Sequence, residues 1–252
     1  MVKRLCVLIG MMTLVVGTAG AQDAVTVLRA ASAAMGVDQV QAVRYSGTGW
    51  LATIGQGYTP EEDWPRSDLI YTRTIDYERG ASGEEMTRRQ GGYPPQGGGG
   101  VPVVGNWDQE FYVSGRYTWN VLRGADPSLP SRLATSNTGL PPEERKLDLW
   151  LSPHGVIKAA LASSDATATP LVLEGQSKTI VSFTAMDRFR VNVTITEDDL
   201  VERVQTWVPN AVFGDMVHEH RYTDYQDHDG VMFPTILHSH RGDPRLNPGH
   251  NW

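Results

Sequence analysis

The sequence predicts an α+β protein, mainly β: a curved antiparallel sheet, a half-open barrel, carrying a few packed helices. Two observations predict it. From Leu171 onward, short runs rich in Val, Ile, Thr, Phe and Tyr alternate with turn signals, LVLEG, TIVSFTAM, FRVNVTIT, LVERVQTWV, MVHEHRYTDYQ and VMFPTILHSH in turn, spaced as in an all-β meander. Runs that follow one another across short turns pair antiparallel. Helical signatures are confined to one stretch near the start and one in the middle.

The chain opens MVKRLCVLIGMMTLVVGTAGAQD. Lys3 and Arg4 form a basic n-region. The apolar run Leu5 to Val16 is too short to span a bilayer, and Ala19-Gly20-Ala21 fits a small-residue cleavage site. Residues 1–21 are therefore expected to be a secretory signal peptide, and 22–252 a single β-rich accessory domain. Cleavage removes Cys6, the one cysteine in the sequence, so the core is expected to hold without disulfides. With no cysteine after the apolar run, no membrane anchor is expected. The expected location is the periplasm or the exterior. Net charge is −7 with no basic run, which excludes nucleic acid and anionic lipid surfaces as partners.

DAVTVLRAASAAMG reads as a helix capped by Asp23, with Val27, Leu28, Ala31 and Met35 near one stripe and Gly36 ending it. VQAVRYSGTGWLATIG, LIYTRTIDYERG and EEMTRRQ read as strands. Residues 91–105 hold four consecutive glycines and two prolines, a loop composition. FYVSGRYTWNVL resumes as strand, and a polar, proline-rich connection follows. EERKLDLWLSPHGVIKAALAS reads as two short helices broken at Pro153, with Pro142 in a first turn.

Familiar chemical motifs fail on context. Gly47-Thr48-Gly49-Trp50-Leu51-Ala52 matches a dinucleotide fingerprint, but ATIGQGYTP after it cannot form the helix whose N-terminus meets the pyrophosphate. The glycine run 97–100 has no Gly-Lys-Ser/Thr after it. No G-x-S-x-G elbow occurs. Glu61-Glu62-Asp63 and Asp198-Asp199 read as solvated turn tips.

His218-Glu219-His220 and His238-Ser239-His240 place two H-x-H pairs in strands, where i and i+2 share a face. Asp229-Gly230 between them is a hairpin signal. Folded about it, His218 is expected near His240 and His220 near His238, a metal-compatible crowd on one face. The rival reading is a polar sheet face, because a one-residue slip moves a strand's side chains across the sheet. No metal ligand is assigned; these four are candidates. In LVERVQTWV, Val201, Arg203, Gln205 and Trp207 share one parity and Val204 and Val208 the other, which leaves the burial of Trp207 open.

GTGW, YTPEEDWPR, YTRTIDYERGASGEEMTRRQG, VERVQTWVPNAVFGDMVHEHRYTDYQDHDGVMFPT and GDPRLNPGHN resemble the N-terminal region of exported bacterial metallo-β-lactamase-fold hydrolases. Tyr222-Thr223-Asp224-Tyr225 and Gly230-Val231-Met232-Phe233-Pro234 are similar to the half-open barrels of periplasmic lipoprotein carriers. The hydrolases carry H-x-H-x-D-H. Here His238-Ser239-His240-Arg241-Gly242-Asp243-Pro244 sets the aspartate one residue late and proline where the last histidine belongs. The resemblance thus implies no catalytic residue and no cofactor in this chain, with zinc expected only in an absent catalytic domain. The function implied is a non-catalytic module that packs on, or shields substrate for, a metallo-hydrolase domain. The alternative is a free-standing carrier of an apolar ligand or lipid.

Overall fold

The computed structural model describes residues 21–52, 65–92, 106–123, 133–135, 142–173, 175–210 and 214–242, with 133–135 as backbone. Residues 1–20 of the expected leader, the acidic trio at 61–63, the glycine run and the pair Asp243-Pro244 lie outside them.

The chain runs α1 (Ala21–Ala34), a 3-10 turn (Val37–Gln39), β1 (Ala42–Ala52), β2 (Arg66–Asp76), β3 (Ala81–Gln90), β4 (Trp107–Ser114), β5 (Tyr117–Arg123) and β6 (Leu133–Thr135). It continues through α2 (Pro142–Trp150), α3 (Pro153–Ala162), β7 (Thr167–Leu173), β8 (Gln176–Ala185), β9 (Phe189–Ile195), β10 (Val201–Asn210), β11 (Gly214–His228) and β12 (Val231–Arg241). The strands form two open six-stranded sheets, β1 to β6 and β7 to β12, each in chain order. Neighbours pair antiparallel throughout. The mainly antiparallel class with a few helices is the one expected; the strands divide into two sheets where one was expected. They meet at β1 and β12, where the Tyr45 and Phe233 rings lie 5.0 Å apart.

Local chemistry explains where elements differ from the sequence reading. FYVSGRYTWNVL is a hairpin, not one strand: Gly115 takes φ +55, and Ser114 pairs with Tyr117 across the two-residue turn. β6 forms inside the stretch read as a connection and pairs with β5. Asp23 lies within the first turn of α1 rather than ahead of it. The glycines of Gly47-Thr48-Gly49 sit inside β1. A Cβ on Gly47 would come within 3.2 Å of the Tyr71 ring, so this glycine makes room for a cross-strand aromatic.

Leu28 and Ala31 of α1, Met35 just after it, and Val156, Ile157 and Ala160 of α3 pack on the second sheet through Val181, Phe183, Val191, Val193 and Val204. Each of the larger side chains among them contributes about 1.5–3 kcal/mol. In β10 the register with β9 shifts between Val201 and Arg203. That irregularity puts Val201 on the core side together with Val204, Thr206 and Val208, and leaves Trp207 facing outward, 38% exposed. α2 packs on both sides: Leu147 joins that core, and Leu149 joins Val40, Ile75 and Tyr77 against the first sheet. Arg145 and Asp148 of the same helix line a cavity.

Candidate functional site

The pleat lines a cavity of about 450 Å³ with alternate residues of both sheets. From the first sheet come Tyr45 and Leu51 of β1, Leu69, Tyr71 and Arg73 of β2, Ser82, Glu84 and Met86 of β3, and Phe111 and Val113 of β4. From the second come His218, His220 and Tyr222 of β11, with Leu237, Ser239 and Arg241 of β12. α2 contributes Arg145 and Asp148.

The lining is polarised. Leu51, Leu69 and Met86 cluster on adjacent strands, with Tyr71 and Phe111 against them. Beyond them, the register stacks Tyr45, Arg73, Glu84 and Phe111 in one cross-strand row. Arg73 reaches from that row to α2, donating from Nη2 to Asp148 Oδ2 at 2.7 Å, with Nε 3.7 Å from Glu84 Oε2. Arg145 donates to Asn120 Oδ1 at 2.6 Å, and Arg241 to Glu144 Oε2 at 3.2 Å. One end of the cavity is hydrocarbon and aromatic; the other is a web of paired charges.

Electrostatics follow from that burial. Desolvation acts to raise the Asp148 carboxyl, but Arg73 and the two imidazoles override it and hold it well below the usual carboxylate range. Desolvation raises Glu84, with Arg73 opposing. Burial pushes His220 down to about 4, against the pull of Asp148. Burial and then the neighbouring His220 push His218 well below the usual imidazole range.

The four candidate histidines do not gather. A two-residue turn at Asp229-Gly230 pairs His228 with Val231, and the ladder carries that register to His218 opposite Arg241, Glu219 opposite His240, His220 opposite Ser239 and Arg221 opposite His238. The expected pairing of His218 with His240 is one residue out. His218 and His220 face the cavity, their ring centroids 4.5 Å apart. His238 and His240 fall on the opposite face, where His240 Nδ1 lies 3.3 Å from His238 Nε2 and His240 Nε2 lies 3.8 Å from Glu219 Oε1. Desolvation lowers His238 as well, with His240 adding to it.

A different set comes together instead. Donor atoms of Asp148, His218 and His220 all lie within 4.8 Å of one another. Asp148 was absent from the sequence candidates because it sits on a helix 70 residues before His218, in KLDLW, and nothing local in that stretch points to the hairpin. Arg73 and Glu84 were missed for a related reason: alternation assigns them a face of the sheet, but not what lies opposite that face.

No family model and no curated protein matches the chain. Among solved structures it is similar to a LolA superfamily protein from Nitrosomonas europaea, at 15% identity over 86% of this chain and 84% of that one, with a TM-score of 0.38. No helix among the described residues is long and apolar enough to cross a membrane.

Proposed function

We propose that the protein is an exported carrier or binding protein for a small, largely apolar ligand with one polar end, held in the cavity between the sheets. The observation that carries this reading is the division of the lining into an apolar wall, Leu51, Leu69, Met86 and Phe111, and a charged end at Arg73, Glu84 and Asp148. The volume falls in the usual range for small-ligand sites, and apolar walls with a few placed polar groups are their common chemistry. An acyl chain would lie along the wall with its head toward Arg73. Export rests on the N-terminal leader pattern. The accessory-module reading, drawn from the resemblance to metallo-hydrolases, uses the same cavity and adds a protein partner.

Native mass spectrometry of protein purified from its exported fraction, followed by solvent extraction, tests this. One apolar molecule bound per chain is expected, and it should fall away in Leu69→Asp, which puts a charge in the apolar wall. An empty cavity in the parent that also takes up no added fatty acid contradicts the reading. A copurified metallo-hydrolase, with no small ligand, favours the module.

A further inference from the structure

We propose that Asp148, His218 and His220 form a binding site for one divalent transition-metal ion, zinc by the character of its donors, at the polar end of the cavity. The inference stands on the placement of these three side chains and is independent of what the apolar end carries.

Three features support it. The first is the donor set: two imidazoles and a carboxylate, from two elements, with donor atoms within 4.8 Å of one another. A tetrahedral zinc holds N and O ligands at about 2.0–2.1 Å, which sets them roughly 3.4 Å apart. Donors already gathered within 4.8 Å need draw in only by roughly an ångström to close on an ion.

The second is an unmet polar atom. His220 is only 9% exposed. Its Nε2 is buried and makes no hydrogen bond, with Asp148 Oδ1 3.4 Å away. A buried nitrogen left without a hydrogen bond is costly, and this one lies beside the Asp148 carboxylate. A metal ion is a partner that satisfies it.

The third is the outer layer. Arg73 Nη2 holds Asp148 Oδ2 at 2.7 Å, which leaves Oδ1 turned toward the imidazoles. Ser239 Oγ sits 3.3 Å from His218 Nε2 and fixes that ring. A group that grips the far side of a ligand, as Arg73 does Asp148, orients it and strengthens its hold on a metal. The charge of Arg73 is offset by Glu84 as well as Asp148, so the site is not closed to a cation. Three protein donors also leave a coordination position facing the cavity, the arrangement of open rather than structural zinc sites.

This departs from the expectation that zinc belongs only to a separate catalytic domain. It also differs from the four-histidine idea, since His238 and His240 are excluded by the β11–β12 register. The test is a titration of metal-free protein with zinc by calorimetry and with cobalt(II) by visible absorption. One ion per chain is expected, with the intense cobalt bands of a low-coordinate site. His218→Gln, His220→Gln and Asp148→Asn should each weaken zinc at least tenfold, while His240→Gln, on the other face, should not. Circular dichroism before metal addition checks that each variant is folded. Imidazole nitrogen NMR of the unaltered protein gives a second reading: zinc should shift His218 and His220 and leave His154 in place. Binding absent from the parent, binding unchanged in all three variants, or shifts confined to His238 and His240 would overturn the proposal.

Discussion

Arg73 Nη2 and Asp148 Oδ2 lie 2.7 Å apart, and this one contact ties the middle of the first sheet to α2 across the polar end of the cavity. Both side chains are partly buried, Asp148 at 31% exposure. The pair is charge-assisted but still wetted, so its coupling is expected at about 1–3 kcal/mol. A double-mutant cycle of Arg73→Met and Asp148→Asn, read by denaturant unfolding, measures it. A coupling near zero would mean that α2 is positioned by Leu147, Leu149 and their apolar neighbours alone.

A second contact fixes the β11–β12 hairpin to the helical layer. Gly36 takes φ +65, and a Cβ there would lie 2.2 Å from the Gly230 carbonyl oxygen. Met232 also donates its backbone N–H to Met35 O at 3.3 Å. Gly36→Ala must therefore bear both left-handed strain and a backbone clash, about 3 kcal/mol or more. Gly115→Ala, at φ +55 with nothing within 4 Å, should cost only roughly 1–2 kcal/mol. Equal losses in the two variants would show that the close approach to Gly230 has no energetic weight.

His154 sets an acid limit. It is fully buried, stacks on Phe233 with centroids 5.8 Å apart, and shares a hydrogen bond with Met35 O at 3.3 Å. Desolvation pushes it down to about 4. The folded state therefore binds its proton later than the unfolded chain, whose histidine titrates near 6.5. Its contribution to stability is present in full above about 6.5 and is lost as pH falls from there through 4, by roughly 3 kcal/mol in all. The thermal midpoint should fall over that window, and His154→Leu should lessen the fall without abolishing it, since burial lowers His218 and His220 as well. A slope identical in parent and variant would mean that His154 is not buried as a neutral ring.

How far these relationships were legible in the sequence depends on what each required. The strands announced themselves by alternation and turn residues, and α1 by its stripe of Leu28, Ala31 and Met35, because those signals are local. The β11–β12 hairpin was legible too, but its register turned on counting. A two-residue turn puts residues of opposite parity across from one another, which separates His218 from His240. The bulge after Val201 was hidden because no glycine marks it. The meeting of Asp148 with His218 and His220 was hidden because it depends on how a helix between two sheets lies over both.

That bulge carries its own prediction. Trp207 faces outward at 38% exposure, so Trp207→Ala should cost well under the roughly 3–5 kcal/mol of a core tryptophan, about 1 kcal/mol. Phe183→Ala, fully buried among α1 and α3 contacts, should cost the larger amount. If chemical denaturation ranks the two the other way, the β10 register is wrong.

The central claim is that the cavity holds an apolar ligand, and titration with an environment-sensitive acyl dye tests it most directly. The parent should bind one dye per chain. Met86→Trp fills the apolar end and should weaken binding at least tenfold. Ile70→Trp, on the exposed opposite face of β2 at 47% exposure, should bind as the parent does. A parent that leaves the dye in water, or two variants that bind equally well, would contradict the account.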